Sequence, residues 1–150
     1  MADRIRFELV SPERLILSTE VEMVVVPGTE GNFGVLPGHA PLISTIRPGM
    51  IEIYENRVVT ERIFIVSGIA EVTPERCTVL AEEAMPPSAL DRSAIEAELQ
   101  VIEGNLPSLR DQVGRAAGAE RDRLAAELRD LERQQAIARA KLQAVAATAH

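Results

Sequence analysis

Aromatic side chains are scarce in this chain: its 150 residues hold three phenylalanines, one tyrosine and no tryptophan. A folded core must therefore rest on Val, Ile and Leu. Cysteine is scarcer still. Cys77 stands alone, so no internal disulfide can form. A lone cysteine reads as a small buried hydrophobe rather than a reactive thiol. Lysine occurs once, at Lys141, and arginine supplies every other basic charge. Positive charge does not dominate: the formal net charge is -7, which excludes a nucleic-acid-binding face. Long apolar runs are missing too. Met23–Val26 and Ile63–Val66 are far too short to cross a bilayer. Met1-Ala2-Asp3-Arg4 leads almost directly into a strand pattern, without the features of a signal or transit segment. The expectation is a cytosolic protein, or one held at a membrane only by partners.

The most specified stretch runs from Val24 to Leu42. A β-branched run stops at Pro27-Gly28, and a loop follows with glycine or proline at every third or fourth position through Pro41. Glycine permits positive φ, and proline fixes φ and removes a donor. Such a loop has a defined shape. It carries no lysine, no Ser-His pair and no metal-ligand cluster, so it reads as a contact surface.

The chain changes period near Met85-Pro86-Pro87. Before that point apolar residues alternate, as in Ile5, Phe7 and Leu9, in Val21, Met23 and Val25, and in Met50-Ile51-Glu52-Ile53-Tyr54. Val24 and Val26 add burial on the second face. Period two predicts half-buried strands. Pro48-Gly49, Ser67-Gly68 and Pro74-Glu75 supply turn chemistry. Glu55-Asn56 is placed to close a hairpin between Ile51–Tyr54 and Arg57–Thr60. About nine short strands fit before residue 84, the pattern of an all-β sandwich or barrel.

After Pro87 the period becomes helical. Ser88 is the expected N-cap, with Asp91 three residues later. Ile95, Leu99, Ile102, Leu106, Leu109 and Val113 are spaced 4-3-4-3-4. Leu124, Leu128, Leu131, Gln135, Ala138, Leu142 and Val145 continue the device. Gly114, Gly118 and the alanines between them provide a break. Two narrow seams about one break predict an antiparallel helical hairpin. Gly104 and Pro107 weaken the first helix, so a break with preserved packing is expected at Pro107. Charge divides with the period. Residues 1–87 hold seven basic and thirteen acidic side chains, and residues 88–150 hold nine and ten.

No catalytic constellation stands out. His39 has no neighbouring nucleophile, and the glycines at 28, 31, 34 and 38 precede neither a Gly-Lys-Ser/Thr triplet nor a helix. Glu82-Glu83 is a carboxylate pair at a strand end, read as a solvated junction. No enzyme activity, metal or cofactor is expected.

Ordered motifs then carry a resemblance. Glu8-Leu9-Val10-Ser11-Pro12-Glu13-Arg14, Val26-Pro27-Gly28-Thr29-Glu30-Gly31 and Leu36-Pro37-Gly38-His39-Ala40-Pro41-Leu42 come first. Arg47-Pro48-Gly49, Gly68-Ile69-Ala70-Glu71-Val72 and Val79-Leu80-Ala81-Glu82 follow. In this order and spacing the chain resembles the epsilon subunits of bacterial F-type ATP synthases, closely over residues 4–84 and only architecturally over 88–150. The resemblance implies a ten-stranded β-sandwich over 1–86 and an antiparallel helical hairpin over 87–150.

The resemblance also implies a non-catalytic rotor subunit that binds the gamma subunit and rests on the ring of c subunits. Such a subunit couples proton flow to ATP synthesis, peripheral to the cytoplasmic side of the bacterial inner membrane. The ring-contacting residues would be Glu30, Gly31 and Asn32 together with His39, Ala40 and Pro41; many relatives are acidic where this chain has Asn32. Arg121 and Arg123, and above all Arg129, Arg133, Arg139 and Lys141, would be placed for transient inhibitory contact with the alpha and beta subunits. Some relatives bind ATP through Leu/Ile-Asp-x-x-Arg-Ala. Here Leu90-Asp91 is followed by Ala94 and Ile95 at the last two places, with Arg92 two residues early. Asp91 and Arg92 are thus the nucleotide candidates, and the departure speaks against ATP as a ligand. If the resemblance misled, the alternative would be a free β-sandwich module dimerising through its coiled-coil tail.

Overall fold

The computed structural model describes residues Arg4 to Thr148, so Met1-Ala2-Asp3 and the last two residues lie outside the described residues. The chain forms two compact units that divide between Ala89 and Leu90.

The first unit holds ten strands: β1 (Ile5–Val10), β2 (Leu15–Val21), β3 (Met23–Gly28), β4 (Gly31–Val35), β5 (Leu42–Ile46), β6 (Gly49–Glu55), β7 (Val58–Ile65), β8 (Gly68–Val72), β9 (Arg76–Ala81) and β10 (Ala84–Met85). Hydrogen bonding orders them β10-β7-β6-β3-β5-β8-β9-β1-β2, with β4 paired to β3. All pairs are antiparallel except β1 with β9. The sheet is continuous but pivots on β3. Met23–Val25 pair with β6, whereas Gly28 pairs with Ile46 of β5. The two halves curl around one core, as a sandwich does.

That core is aliphatic, as the composition requires. Ile5, Phe7 and Leu9 from β1, Val24 and Val26 from β3, Ile51 and Ile53 from β6, and Cys77 and Val79 from β9 are buried in one cluster. Each set occupies alternate positions, because successive side chains of a strand face opposite sides of a sheet.

Two details differ from the sequence pattern. Val21, Met23 and Val25 do not share a face: the chain bends at Glu22, after which Val24 and Val26 are buried and Met23 and Val25 only half-buried. The bend moves the chain from β2, at one end of the sheet, to β3 at its pivot. Alternation cannot run through such a corner. The β6–β7 turn also sits one residue later than expected. Asn56 and Arg57 occupy its centre with φ of 53° and 65°. Two consecutive left-handed residues match the twist of a two-residue hairpin. By contrast, Pro74-Glu75 turns the chain as expected: the Arg76 N–H donates to Thr73 O at 3.3 Å and the Thr73 N–H to Arg76 O at 2.8 Å.

The second unit is a hairpin of α1 (Arg92–Arg115) and α2 (Gly118–Thr148). Gly118 takes φ +62° just past the connection. Ile95, Ile102 and Leu106 on α1 and Leu124 and Ala138 on α2 are buried, and the other seam residues are half-buried. The seam is therefore packed within one chain. Ala144 is buried as well, outside the seam as read. Two expectations fail here. Ser88 lies in a 3-10 turn over Pro87–Ala89, and the N-cap is Asp91, whose carboxylate accepts from the Ala94 N–H at 3.4 Å. The helix also runs unbroken through Pro107. Leu106 and Ile102 on the buried face hold the turn around the proline, so tertiary packing overrides propensity.

Candidate protein-contact site

Glu30, Gly31 and Asn32 sit at the tip of the β3–β4 hairpin, and all three are exposed. Gly28 pairs with Gly31 across the two-residue connection Thr29-Glu30. A Cβ on Gly28 would lie 2.8 Å from Gly31 O and 2.9 Å from Phe33 Cε1, so glycine is needed there. The tip is fastened to β5 and its C-terminal end. Thr29 N–H donates to Thr45 O at 3.0 Å, and the hydroxyls of Thr29 and Thr45 bond at 2.8 Å. The Arg47 backbone N–H donates to Pro27 O at 3.0 Å. Its guanidinium donates to Gly28 O at 2.7 Å and to Asn32 Oδ1 at 2.6 Å.

His39, Ala40 and Pro41 follow a second built turn. His39 N–H donates to Leu36 O at 3.1 Å, with Pro37 and Gly38 between them. Gly38 has φ +84°, as the third residue of a type II turn demands. Its N–H donates to Pro74 O at 2.8 Å, which pins the loop to the β8–β9 turn. His39 Nδ1 lies 2.7 Å from Ala40 O. A carbonyl only accepts, so Nδ1 carries a proton and Nε2 is the nitrogen left for another contact.

β5 joins the two loops. It begins at Leu42, directly after Pro41, and borders an open hollow of about 520 Å³ under the β3–β4 tip. Glu30, Asn32, Phe33, Leu42, Ile43 and Ser44 are among its walls. Ile43 is 72% exposed. Apolar surface with a polar rim suits a protein partner. Glu30 is the one carboxylate on these two loops. Asp or Glu at position 32 would have added a second; Asn32 is neutral and already engaged by Arg47. A second hollow, of about 630 Å³, lies between the Pro37-Gly38 turn and Arg4, Arg6 and Arg76. Its charges are largely spent: Arg4 pairs with Glu55 at 2.7 Å and Arg76 with Glu8 at 3.2 Å.

Sequence reasoning missed the role of Arg47, which entered only as part of the Arg47-Pro48-Gly49 motif of the family resemblance. No spacing rule links residues 32 and 47. Only the folding of β5 against the hairpin tip brings them together.

On the helices the candidate cations differ in their engagements. Arg139 donates to Glu103 Oε2 at 2.5 Å, and Gln135 donates to the same oxygen at 3.0 Å. Arg139 first, then Gln135, hold the Glu103 carboxyl below its ordinary titration range. Arg123 pairs with Glu127 at 3.5 Å. Arg121, Arg129 and Arg133 are exposed on α2, and Lys141 is half-buried. Of the nucleotide candidates, Asp91 is the cap of α1, and Arg92 lies 3.8 Å from Glu96 along the helix.

Chemistry elsewhere is sparse. Burial pushes the Cys77 thiol up to about 12, which keeps it protonated and unreactive at neutral pH. Among the described residues no three His, Cys, Asp or Glu side chains are placed to share a metal. Among the described residues no helix is long and apolar enough to cross a membrane.

Residues 4–87 match the profile of the family described as ATP synthase, Delta/Epsilon chain, beta-sandwich domain. The ATP synthase epsilon chain of Rhodospirillum rubrum is 51% identical over 120 residues, 80% of this chain and 90% of the relative. That of Maricaulis maris is 43% identical over 138 residues, 92% and 98% of the two chains. The same architecture occurs in a chain of the Euglena gracilis mitochondrial ATP synthase structure (OSCP/F1/c-ring). There the TM-score is 0.67 at 20% identity, covering 100% of this chain and 84% of that one. A chain of the Tetrahymena thermophila mitochondrial ATP synthase central stalk/c-ring structure matches with a TM-score of 0.54 at 15% identity, over 94% and 96%.

Proposed function

The chain belongs to the ATP synthase delta/epsilon chain family, and on that premise we propose that it is a non-catalytic rotor subunit. In this reading it joins the gamma subunit to the ring of c subunits and passes rotation between proton flow and ATP synthesis. The observation that carries the reading is the pair of stapled loops on one β unit. Glu30-Gly31-Asn32 and His39-Ala40-Pro41 are presented by turns whose backbones are hydrogen-bonded to β5 and to the β8–β9 turn. A contact that transmits torque needs surface groups that do not yield when pushed sideways. Both loops meet that need, since ordering them costs little further entropy on binding.

The chemistry required of the chain is recognition alone. Glu30 supplies negative charge for a cation of the ring, His39 a ring nitrogen, and Leu42 and Ile43 apolar area. The protein would sit on the cytoplasmic face of the membrane through this contact, without crossing it. The helices form a separate regulatory arm in this reading. Arg129, Arg133, Arg139 and Lys141 face the alpha and beta subunits when the arm engages them, and Arg139 must then leave Glu103. The structural duties of Asp91 and Arg92 support an arm without bound nucleotide.

The test is reconstitution. Membranes stripped of this chain should lose ATP-driven proton pumping and regain it when the pure chain is added back. Removal of Leu90–His150 should preserve ATP synthesis and raise ATP hydrolysis modestly. Pumping that is indifferent to the chain would end the rotor reading, and unchanged hydrolysis would end the regulatory one.

A further inference from the structure

The β3–β4 tip owes its form to a side chain outside it. Arg47 stands just past β5, and its two terminal nitrogens reach different parts of the tip: Gly28 O at 2.7 Å and Asn32 Oδ1 at 2.6 Å. The planar fork of a guanidinium can satisfy two acceptors at once and is always charged. A donor can bond the Asn32 side chain only through Oδ1, so the fork selects one of the two orientations of the Asn32 amide. Its Nδ2 hydrogens are then the side-chain groups left for an outside partner.

We propose that Arg47 is the positioning residue of the ring-contacting tip, fixing Asn32 as a hydrogen-bond donor beside the Glu30 carboxylate. The tip then offers two unlike groups: N–H donors from Asn32 and negative charge from Glu30. It fits a partner loop that presents a backbone carbonyl next to a cationic side chain, over apolar contacts with Phe33 and Ile43. The proposal rests on the rotor reading above for its partner. The clamp itself rests only on geometry within this chain.

The experiment titrates the full-length chain onto membranes that carry the ATP synthase stripped of this subunit. Wild type, Arg47→Ala, Asn32→Ala and the double variant are compared. Loss of one hydrogen bond from the Asn32 amide to a partner carbonyl predicts up to about tenfold weaker binding for each single variant. The double variant should bind no more weakly than Arg47→Ala, because both changes remove the same donor from the partner. A second readout follows the Asn32 side-chain amide by NMR in the free chain. In Arg47→Ala its signals should move to the positions of an unrestrained asparagine while those of the β core stay in place. Arg47→Lys guards against misfolding, since it keeps the charge and the aliphatic stem. A compact ammonium cannot hold both acceptors in fork geometry, so the Asn32 signals should still move. Wild-type affinity of Arg47→Ala, a roughly hundredfold loss in the double variant, or unmoved Asn32 signals would each overturn the proposal. Failure of the wild-type chain to bind these membranes would overturn the rotor reading instead, and the amide signals would still judge the clamp.

Discussion

Replacing Gly28 by alanine tests the construction of the contact tip in one atom. The added Cβ would lie 2.8 Å from Gly31 O, and 2.9 Å and 3.1 Å from Cε1 and Cδ1 of Phe33. The phenyl ring can turn aside, but Gly31 O belongs to the backbone across a two-residue connection. It retreats only if the Gly28–Gly31 pair opens. Overpacking of this kind costs about 1–3 kcal/mol. Opening the pair also draws Gly28 O away from Arg47, and a hydrogen bond to a charged group is worth about 1.5–3 kcal/mol. The two losses share one movement and do not add in full, so about 3 kcal/mol is expected. For a domain of this size each kcal/mol moves the thermal midpoint by roughly 4–8 °C, which gives a fall on the order of 15 °C. With no tryptophan and one tyrosine, fluorescence is nearly blind here, and circular dichroism in the β region is the suitable assay. Gly34→Ala is the control. Its Cβ would meet only Met23 Sδ, at 3.4 Å, so it should stay within about 1 kcal/mol of wild type. A Gly28→Ala protein that melts with the wild type would refute the close approach at the tip, and the Arg47 argument with it.

Two further predictions concern the helical unit. Pro107→Ala restores a backbone donor inside α1, where proline costs about 3 kcal/mol relative to alanine; it should raise the unfolding midpoint of the helices and slow amide exchange around residue 107. A lowered midpoint would mean that the proline shapes packing instead of weakening it. Glu103 has its carboxyl held below the ordinary value of 4.5 by Arg139 and Gln135. A depressed carboxyl contributes stability above its unfolded pKa and loses it as pH falls through the folded one. Wild-type helices should therefore lose stability below about pH 4.5 more steeply than Glu103→Gln helices do, and equal slopes would show that the clasp contributes nothing.

The architecture was largely legible. Alternation at Ile5, Phe7 and Leu9 and the 4-3 seam of Ile95 to Val113 are local signals, and each gave the right face of the right element. What escaped were effects decided by neighbours. The corner at Glu22 follows from where β3 pairs. Asp91 took the cap from Ser88 because Pro86-Pro87-Ser88-Ala89 closes its own turn, with Ala89 N–H on Pro86 O. The helix survived Pro107 because the neighbouring Leu106 is buried. At the candidate site the loops were readable from glycine and proline spacing. Arg47 was not, because it reaches Asn32 from fifteen positions further along the chain.

The parallel pairing of β1 with β9 sets an order of events during synthesis. Arg6 lies beside Arg76 and Val10 beside Leu80, so the first strand made is completed by nearly the last of its unit. Until β9 leaves the ribosome, the β1–β2 hairpin carries an open edge capable of pairing with other chains. Closing so long a loop is slow, whereas the helices that emerge afterwards make mostly short-range contacts and fold quickly. The helical unit, made after the β unit, should thus become structured at about the same time as β1, and crowding of nascent chains threatens mainly the β unit.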